Sequence, residues 1–478
     1  MSGRPYRRPS PDRPRRAAFD LLRAVAERDA YANLVLPQLL REAGLAGRDA
    51  AFATELGYGT LRGRGTYDAV LAACVDRPLD AVDPPVLDLL RLGAHQLLAM
   101  RVPAHAAVAA TVELARAVAG EGRGSFVNAV LRRVGGQDLA AWVDQVAPDR
   151  AADPVGHLAV AFSHPRWVVD AVRDRLGSLA ETQAMLAADN VAPQVVLVAR
   201  PGRCTVDELV AAGGSPGRWS PYAVSWPSGD PADLPQVRSG AAGIQDEGSQ
   251  LVALALAAAP LTGPDARWLD LCSGPGGKSA LLAGLAGLAG LPAAGRSAAG
   301  EAAQAGAGPV LLAVDHQPHR ARLVAQALSD PVTGPIGRAW SVVADGRSGP
   351  WRPGSFDRVL ADVPCTGLGA LRRRPDARWR RRPADVARLA PLQRALLSAA
   401  VDAVRPGGLV GYVTCSPHVA ETDVVVGDVL AQRSDLAAVD ARPLFAGLPD
   451  LGPGPYVQLW PHRHGTDAMF LALLRRTG

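Results

Sequence analysis

Four short apolar runs, each closed by an aspartate, constrain the fold of this chain more than any other feature of its sequence. The runs lie between positions 268 and 361, and the closing residues are Asp270, Asp315, Asp345 and Asp362. Such runs are typical of strands buried on both faces of a parallel sheet. Because open α/β sheets bind ligands outside the carboxyl ends of their strands, we predict a doubly wound sheet with a nucleoside-binding crevice beside these aspartates. Any one of them alone is better explained as a solvated loop residue or a helix cap.

The loop after the first run carries the only lysine of the chain. Lysine and arginine together number 51, and every one of them except Lys278 is arginine. Lys278 closes the stretch 270–278, Asp-Leu-Cys-Ser-Gly-Pro-Gly-Gly-Lys, so this position is expected to need an ammonium group. Glycines between a strand and a helix let the backbone approach a ligand, and the N-terminus of the helix offers unpaired N–H groups. We therefore predict a cofactor-binding loop, with an ordinary glycine turn as the alternative.

Spacing argues against two nucleotide-binding motifs at this loop. A phosphate-binding P-loop needs a glycine where Cys272 stands, and a dinucleotide fingerprint that starts at Gly274 needs a glycine where Ser279 stands. A nucleoside triphosphatase that uses Lys278 therefore remains only a weak alternative.

Two cysteines follow predicted strands at the same crevice. Cys365 comes three residues after Asp362, and Cys415 follows the apolar stretch 411–414. A lone cysteine beside an apolar strand is usually a small buried hydrophobic residue, but two at matching strand ends favour a catalytic role. The five cysteines of the chain include no Cys-x-x-Cys pair and no His/Cys cluster at zinc spacing, so we expect neither disulfides nor a metal.

Together these motifs resemble the RNA (cytosine-5)-methyltransferases that use S-adenosylmethionine. More narrowly, the chain resembles the bacterial Sun/RsmB (Fmu) branch, which methylates small-subunit (16S) ribosomal RNA, and its N-terminal region resembles the NusB RNA-binding fold. The resemblance covers nearly the whole chain. It rests on the segments 270–278, 362–365, 414–416 and 464–467, and on 162–167 and 244–250.

The resemblance implies a role for each candidate residue. Cys415 would be the nucleophile that adds to carbon 6 of cytosine, Cys365 would assist product release, and Asp362 would bond the cytosine edge; spacing alone does not decide which thiol attacks. A thiol is needed because carbon 5 becomes nucleophilic only after such an addition. The residues implied to contact S-adenosylmethionine are Cys272, Ser273, Gly274, Pro275, Gly276, Gly277, Lys278, Asp315, Asp345 and Asp362.

Arginines gather directly after the Cys365 loop. The formal net charge is only +5, so this local cluster, rather than the overall charge, predicts an RNA partner. Guanidinium groups suit bidentate phosphate contacts, and an indole among them can stack on a splayed base. A solvated basic loop is the alternative. The predicted RNA-binding residues are Arg372, Arg373, Arg374, Arg378 and Trp379.

Composition and hydrophobic spacing divide the chain into four segments. Residues 1–16 form a basic tail that we expect to be disordered. Helical spacing, as in Ala18, Leu21 and Leu22, predicts an all-α NusB-like RNA-binding domain over 17–140. A small α+β linker subdomain is predicted over 141–238 and a Rossmann-like methyltransferase domain over 239–478. The Ala/Gly-rich stretch 281–308 is predicted to continue a helix and then form a flexible insertion of undetermined role.

The function predicted from the sequence is the methylation of carbon 5 of a cytosine in 16S ribosomal RNA, with S-adenosylmethionine as cofactor. We expect a cytoplasmic monomer with no metal and no membrane partner, because no apolar run reaches about 18 residues without glycine or proline. One alternative is the same chemistry on transfer RNA. Another is a noncatalytic NusB-like RNA-binding or antitermination factor. The role of Glu421, near Cys415, stays open.

Overall fold

The computed structural model describes residues 12–227, 229–289, 310–330, 334–335 and 338–478. The chain divides into two compact units. The first extends to Val191 and includes Arg373–Arg380, and the second comprises Ala192–Arg372 and Arg381–Gly478. The helices are α1 (Arg13–Arg28), α2 (Ala32–Glu42), α3 (Gly47–Cys74), α4 (Pro84–Leu98), α5 (Ala104–Ala119), α6 (Glu121–Val134), α7 (Leu139–Val146), α8 (Pro154–Ala161), α9 (Arg166–Leu176), α10 (Leu179–Asp189), α11 (Val206–Ala211), α12 (Pro235–Arg238), α13 (Glu247–Ala258), α14 (Gly277–Ala289), α15 (Pro318–Ala327), α16 (Ala377–Arg380), α17 (Pro383–Ala403), α18 (Asp423–Gln432) and α19 (Pro461–His464).

The strands follow the same chain order. They are β1 (Val195–Ala199), β2 (Ser215–Pro216), β3 (Ala223–Trp226), β4 (Ala242–Ile244), β5 (Arg267–Asp270), β6 (Val310–Asp315), β7 (Ser329–Asp330), β8 (Gly334–Pro335), β9 (Arg338–Val343), β10 (Phe356–Asp362), β11 (Val404–Thr414), β12 (Leu436–Val439), β13 (Val457–Gln458) and β14 (Phe470–Arg476).

The first unit is helical, as the spacing predicted, with a large hydrophobic core and a smaller second cluster among α8, α9 and α10. In α1, Ala18, Leu21 and Leu22 are buried. The predicted tail is shorter than expected: Asp12 caps α1 by accepting a hydrogen bond from the Arg15 backbone N–H. The Arg15 guanidinium also donates to the buried Gln96 side chain at 2.7 Å. Residues 12–16 are therefore ordered by their contacts, and the rest of the predicted tail lies outside the described residues.

Helices α7 to α10 belong to the first unit, so the domain boundary differs from the one predicted at residue 140. Within this unit, the Thr66 hydroxyl of α3 donates to the Val160 carbonyl of α8 at 2.5 Å, and the Gly65 N–H donates to the Ser163 hydroxyl at 2.8 Å. The predicted linker subdomain is thus divided. Its helices up to α10 join the first unit, whereas α11, α12 and the strands β1 to β3 lie in the second. There β4 completes a four-stranded antiparallel sheet of order β2-β3-β1-β4.

The second unit is built on a twisted α/β sheet with the strand order β12-β14-β11-β10-β5-β6-β9, and β13 pairs with β14. The strands β9, β6, β5, β10 and β11 are parallel neighbours, and β14 runs antiparallel between β11 and β12. The order reverses between β5 and β10, and ligands of doubly wound sheets bind at such a switch point. The four predicted strands that end near aspartates are all present in this sheet.

Alternate residues along the central strands pack on opposite faces of the sheet. Trp268 and Leu360 belong to a core with α13, α14 and α15, whereas Leu269 and Val359 belong to a second core with α17 and α18. Strands covered on both faces read as continuous apolar runs, which is why the sequence revealed them. Helix α14 continues to Ala289, as predicted, and the later part of the Ala/Gly-rich stretch lies outside the described residues.

Candidate active site

The carboxyl ends of three adjacent parallel strands bring the predicted residues together. Asp270 ends β5 and Asp362 ends β10, on the two sides of the switch point. Cys415 follows the last residue of β11. Since Asp362 lies opposite Val413 in the parallel register, the acid and the cysteine occupy neighbouring strand ends.

The glycine loop after β5 is held against the end of β6. The Ser273 hydroxyl donates to the Val314 carbonyl at 2.9 Å, and the Gly274 N–H donates to the Asp315 carboxylate at 3.1 Å. Asp315 is buried, and its carboxylate also lies 3.3 Å from the Arg320 guanidinium. Loop and acid therefore form one hydrogen-bonded unit at the predicted cofactor edge.

Lys278 forms an ion pair with Asp362. Its ammonium nitrogen lies 2.8 Å from the Asp362 carboxylate, and the lysine side chain is 12% exposed. Burial alone would lower the pKa of Lys278, but the attraction and hydrogen bond of Asp362, with the Cys415 and Asp270 charges, raise it. The lysine is therefore charged, and its ammonium group pairs with the acid at the end of β10.

Asp270 is a buried acid behind this ion pair. The Ser279 hydroxyl donates to its carboxyl at 2.6 Å. Burial, reinforced by the charge of Asp362, raises the pKa of Asp270 to about 7, against the opposing effects of Ser279 and Lys278. This acid is set apart from Asp362 by its burial, a distinction that the sequence pattern did not reveal.

The two candidate catalytic thiols lie side by side. The Sγ atoms of Cys365 and Cys415 are 3.3 Å apart and can share a hydrogen bond. The hydrogen bond with Cys415, burial and the nearby negative charges of Cys415, Glu421 and Asp362 hold the pKa of Cys365 well above its ordinary value. The raised pKa keeps Cys365 protonated, and either sulfur can be the donor in the pair.

The remaining cofactor candidates occupy different surroundings. Burial, with the charges of nearby aspartates, raises the pKa of Cys272 well above its ordinary value, so this thiol is neutral. Asp345 is half-buried, two residues beyond β9, and forms a two-pronged ion pair with Arg347. That bond holds the pKa of Asp345 at about 2. Asp315 is thus held in the loop network, whereas Asp345 is paired only with its neighbour.

The arginine-rich segment departs from its predicted role at Arg378. This side chain is fully buried in the first unit, where its guanidinium donates to the backbone carbonyls of Arg62 and Asp189 at 3.0 and 2.8 Å. A guanidinium in such a cage cannot reach a phosphate, so the prediction that Arg378 binds RNA is wrong. The Trp379 ring packs over Gly65, where an added Cβ would lie 2.5 Å from the indole, so packing within this unit also accounts for Trp379.

The other arginines of the segment have different surroundings. Arg372 lies in the second unit and donates to the Gly465 carbonyl at 2.8 Å, while Arg374 is exposed. Consecutive arginines therefore differ in what they can do, although the sequence shows them as one cluster.

Comparison with known proteins identifies the family of this chain. A family profile described as 16S rRNA methyltransferase RsmB/F matches residues 293–475, and the NusB family matches residues 12–135. A Bacillus subtilis protein named probable ribosomal RNA small subunit methyltransferase B is 30% identical over 96% of this chain and 98% of its own length. The chain belongs to the RsmB family of RNA methyltransferases. A Xylella fastidiosa family member, ribosomal RNA small subunit methyltransferase B, is 33% identical over 89% of this chain and 92% of its own length.

Other relatives of this RsmB-family chain extend the comparison. A putative methyltransferase of Mycobacterium tuberculosis is 56% identical over 99% of this chain and 98% of its own length. Among solved structures, that of PH0851 is similar with a TM-score of 0.75 and 20% identity, over 98% of this chain and 99% of the other. At that identity the likeness shows the fold alone. Within the described residues, no helix combines the length and the apolar character that crossing a membrane requires.

Proposed function

We propose that this chain transfers the methyl group of S-adenosylmethionine to carbon 5 of a cytosine in small-subunit ribosomal RNA through a covalent adduct on Cys415. The observation that carries the proposal is the pair of thiols, 3.3 Å apart, at strand ends beside the ion pair of Lys278 and Asp362. Cytosine C5 methylation requires one thiol that adds to carbon 6, and the family resemblance implies a second thiol that assists release, whereas an N-methyltransferase needs neither. The names of the Bacillus subtilis and Xylella fastidiosa relatives support the ribosomal substrate.

Two neighbouring groups, the Cys365 thiol and the Lys278 ammonium, support the assignment of Cys415 as the nucleophile. Only a thiolate attacks efficiently, and a free cysteine has a pKa of about 8.5. The S–H of Cys365, 3.3 Å away, can donate to a thiolate on Cys415, and the Lys278 ammonium adds a positive charge that interacts with Cys415. Cys415 is therefore the sulfur with the surroundings of a nucleophile.

The residues of the glycine loop suit S-adenosylmethionine. At Gly274 an added Cβ would lie 2.3 Å from the Asp315 carboxylate and 2.5 Å from Nε of Arg320, so only a bare backbone fits between the loop and the acid. In doubly wound folds, such an acid at a strand end accepts hydrogen bonds from ribose hydroxyls. We propose that Asp315 binds the ribose, with residues 272–278, Asp345 and Asp362 as further contacts. When bound, the cofactor supplies an electrophilic methyl group on a positively charged sulfur.

The protein's own residues then account for the remaining steps. The Cys415 thiolate adds its electron pair to carbon 6, and the electrons of the ring double bond make carbon 5 nucleophilic. Asp362, held in place by Lys278, bonds the cytosine edge and favours protonation at N3 as the thiolate adds. After carbon 5 has taken the methyl group, N3 returns its proton and a base removes the proton on carbon 5. The electron pair of that carbon–hydrogen bond restores the double bond, and the carbon–sulfur bond breaks to return a thiolate on Cys415. Cys365 assists this release.

RNA contacts are proposed at the arginines that remain after Arg378 is removed from the set. Arg374 is exposed and is the arginine that best suits a phosphate contact. Arg372, which is 13% exposed and pairs with Asp246 at 3.4 Å, and Arg373 are retained from the predicted set. Exposed guanidinium groups suit phosphate contacts, which position the RNA without reading its sequence.

The experiment measures transfer of labelled methyl from S-adenosylmethionine to deproteinised small-subunit ribosomal RNA and to bulk transfer RNA. The expected product is 5-methylcytosine in the ribosomal RNA, abolished by Cys415→Ala. Label only in transfer RNA would keep the chemistry and replace the substrate. Transfer that persists in Cys415→Ala would overturn the assignment of the nucleophile, and bound cofactor with no transfer to either RNA would favour the noncatalytic alternative.

A further inference from the structure

Glu421 is a buried carboxylate whose place next to the thiols is not explained by cofactor or substrate binding. It ends a 3₁₀ turn, Val419–Glu421, and is 0% exposed. An ionised carboxylate is costly to bury unless hydrogen bonds replace its water. Here four donors do so, and they come from Thr366, Ser416 and Gln393.

These donors belong to the two cysteine loops. Thr366 follows Cys365 directly, and it gives the Glu421 carboxylate both its backbone N–H, at 2.8 Å, and its hydroxyl. Ser416 follows Cys415 directly, and its hydroxyl donates to the same carboxylate at 2.7 Å. One carboxylate therefore binds the residue after each thiol.

Gln393 adds a third point of attachment from α17. Its side-chain amide donates to Glu421 at 3.0 Å and to the Pro364 carbonyl, the residue before Cys365, at 2.9 Å. The Cys365 loop is thus fixed on both sides of the thiol. Thr366, Ser416 and Gln393 are all buried, so water does not compete for these bonds.

The charge of Glu421 does not explain its presence. It is one of the negative charges that raise the pKa of Cys365, so it opposes the formation of a thiolate in this pair. Its hydrogen bonds instead fix the positions of the two cysteine loops. Such positioning matters because a shift of about 1 Å in a reacting group can lower a rate about 100-fold.

We propose that Glu421 is a positioning residue, whose carboxylate joins Thr366 and Ser416 and so holds the thiols of Cys365 and Cys415 at their working distance. This inference rests on the proposed two-thiol function. It goes beyond the roles implied for the two cysteines, since Glu421 acts through the residues that follow them.

The test compares Glu421→Ala with Glu421→Gln. The amide oxygen of glutamine can accept from the Thr366 N–H and from Gln393, and its NH₂ group can donate to the two hydroxyls, which accept as readily as they donate. Glutamine should therefore keep the loops joined and retain kcat within about threefold. Alanine should lower kcat about 100-fold while the KM values for RNA and S-adenosylmethionine stay within about twofold. An equal loss of kcat in both variants would contradict the geometric role.

A second readout needs neither RNA nor methyl transfer. Phenylarsine oxide condenses with two neighbouring thiols, forming two arsenic–sulfur bonds and releasing water, and Cys365→Ala measures the background from the other cysteines. We expect Glu421→Ala to bind it at least tenfold more weakly than the wild type and Glu421→Gln to bind it equally well. Equal binding by Glu421→Ala would overturn the inference even if the protein transferred no methyl group, which keeps this failure separate from failure of the proposed function.

Asp357→Asn is the matched control. Asp357 is an equally buried carboxylate near the opposite end of β10, where it accepts from the Ala266 and Arg267 N–H groups. Its substitution should lower stability without changing arsenical binding. If Glu421→Ala does not fold, Ser416→Ala removes one of the joining bonds and should reduce arsenical binding about threefold, and unchanged binding there would equally overturn the inference.

Discussion

At the scale of single residues, burial separates two aspartates that the sequence presents alike. Asp270 and Asp362 both end strands, but Asp270 is 1% exposed and bonds to Ser279, whereas Asp362 bonds to the Lys278 ammonium. The raised pKa of Asp270 means that the folded chain keeps this proton up to about pH 7, while an unperturbed carboxyl loses it near 3.8. Between those values the folded state binds more protons, so its stability falls as the pH rises from about 4 to about 7.

Asp270→Asn removes this titratable group and should abolish the loss of folding stability as the pH rises. Asparagine is nearly the same size and can still accept from Ser279. From pH 5 to pH 8, the free energy of unfolding of the variant should rise by about 3 kcal/mol relative to that of the wild type. Each pH unit below the raised pKa of about 7 contributes about 1.4 kcal/mol to this change. Urea unfolding at the two pH values measures the difference. A constant difference between the proteins would show that Asp270 ionises at its ordinary pH.

At the scale of elements, the loop between β5 and α14 depends on the absence of a side chain at Gly274. Gly274→Ala would push a methyl group into the Asp315 carboxylate and the Arg320 guanidinium. We expect affinity for S-adenosylmethionine, measured by equilibrium dialysis, to fall at least tenfold. Gly287→Ala is the control, because that glycine lies in α14 with no atom within 4 Å of an added Cβ. It should leave affinity unchanged, and an equal effect of both variants would contradict the proposed role of the loop.

Substitutions of two arginines in the segment Arg373–Arg380 should have opposite effects on stability and RNA binding. Arg378→Met leaves buried carbonyl oxygens without donors, at about 1–3 kcal/mol for each such group, so the first unit should melt at a lower temperature. Arg374→Met removes only an exposed charge and should leave the melting temperature unchanged. It should instead weaken RNA binding and reduce its salt dependence by about one phosphate contact. Calorimetry and RNA titrations at several salt concentrations distinguish the two, and equal melting temperatures for Arg378→Met and the wild type would contradict the structural role.

Strands and helices were predictable where one physical pattern dominated. Both faces of β5, β6 and β10 are covered, so each strand carries a short apolar run before its aspartate, and Ala18, Leu21 and Leu22 recur at helical spacing in α1. Three-dimensional contacts were not predictable. A run of arginines does not show that Arg378 is caged by carbonyls, and no spacing shows that Glu421 reaches the residues after both cysteines. Nor does the sequence pattern show that α7 and α8 contact α3, a contact between segments far apart in sequence that places them in the first unit.

At the scale of the whole molecule, the chain separates its helical unit from the unit that holds the proposed chemistry. Asp270, Lys278, Asp362 and both candidate thiols lie in the second unit, whereas Arg373–Arg380 belongs to the first, although it follows Cys365 in sequence. A chain that begins at residue 192 would therefore lack the partners that bury Arg378. The family match is consistent with this division, since the NusB profile covers residues 12–135.

The most direct test of the central claim is to trap the covalent RNA adduct. Cys365→Ala is incubated with S-adenosylmethionine and small-subunit ribosomal RNA, and the products are separated under denaturing conditions. If Cys415 is the nucleophile and Cys365 assists release, the variant should accumulate a protein–RNA complex that survives denaturation and maps to Cys415. The double variant Cys365→Ala/Cys415→Ala should form none. An adduct that persists in the double variant, or 5-methylcytosine formed in Cys415→Ala, would contradict the account.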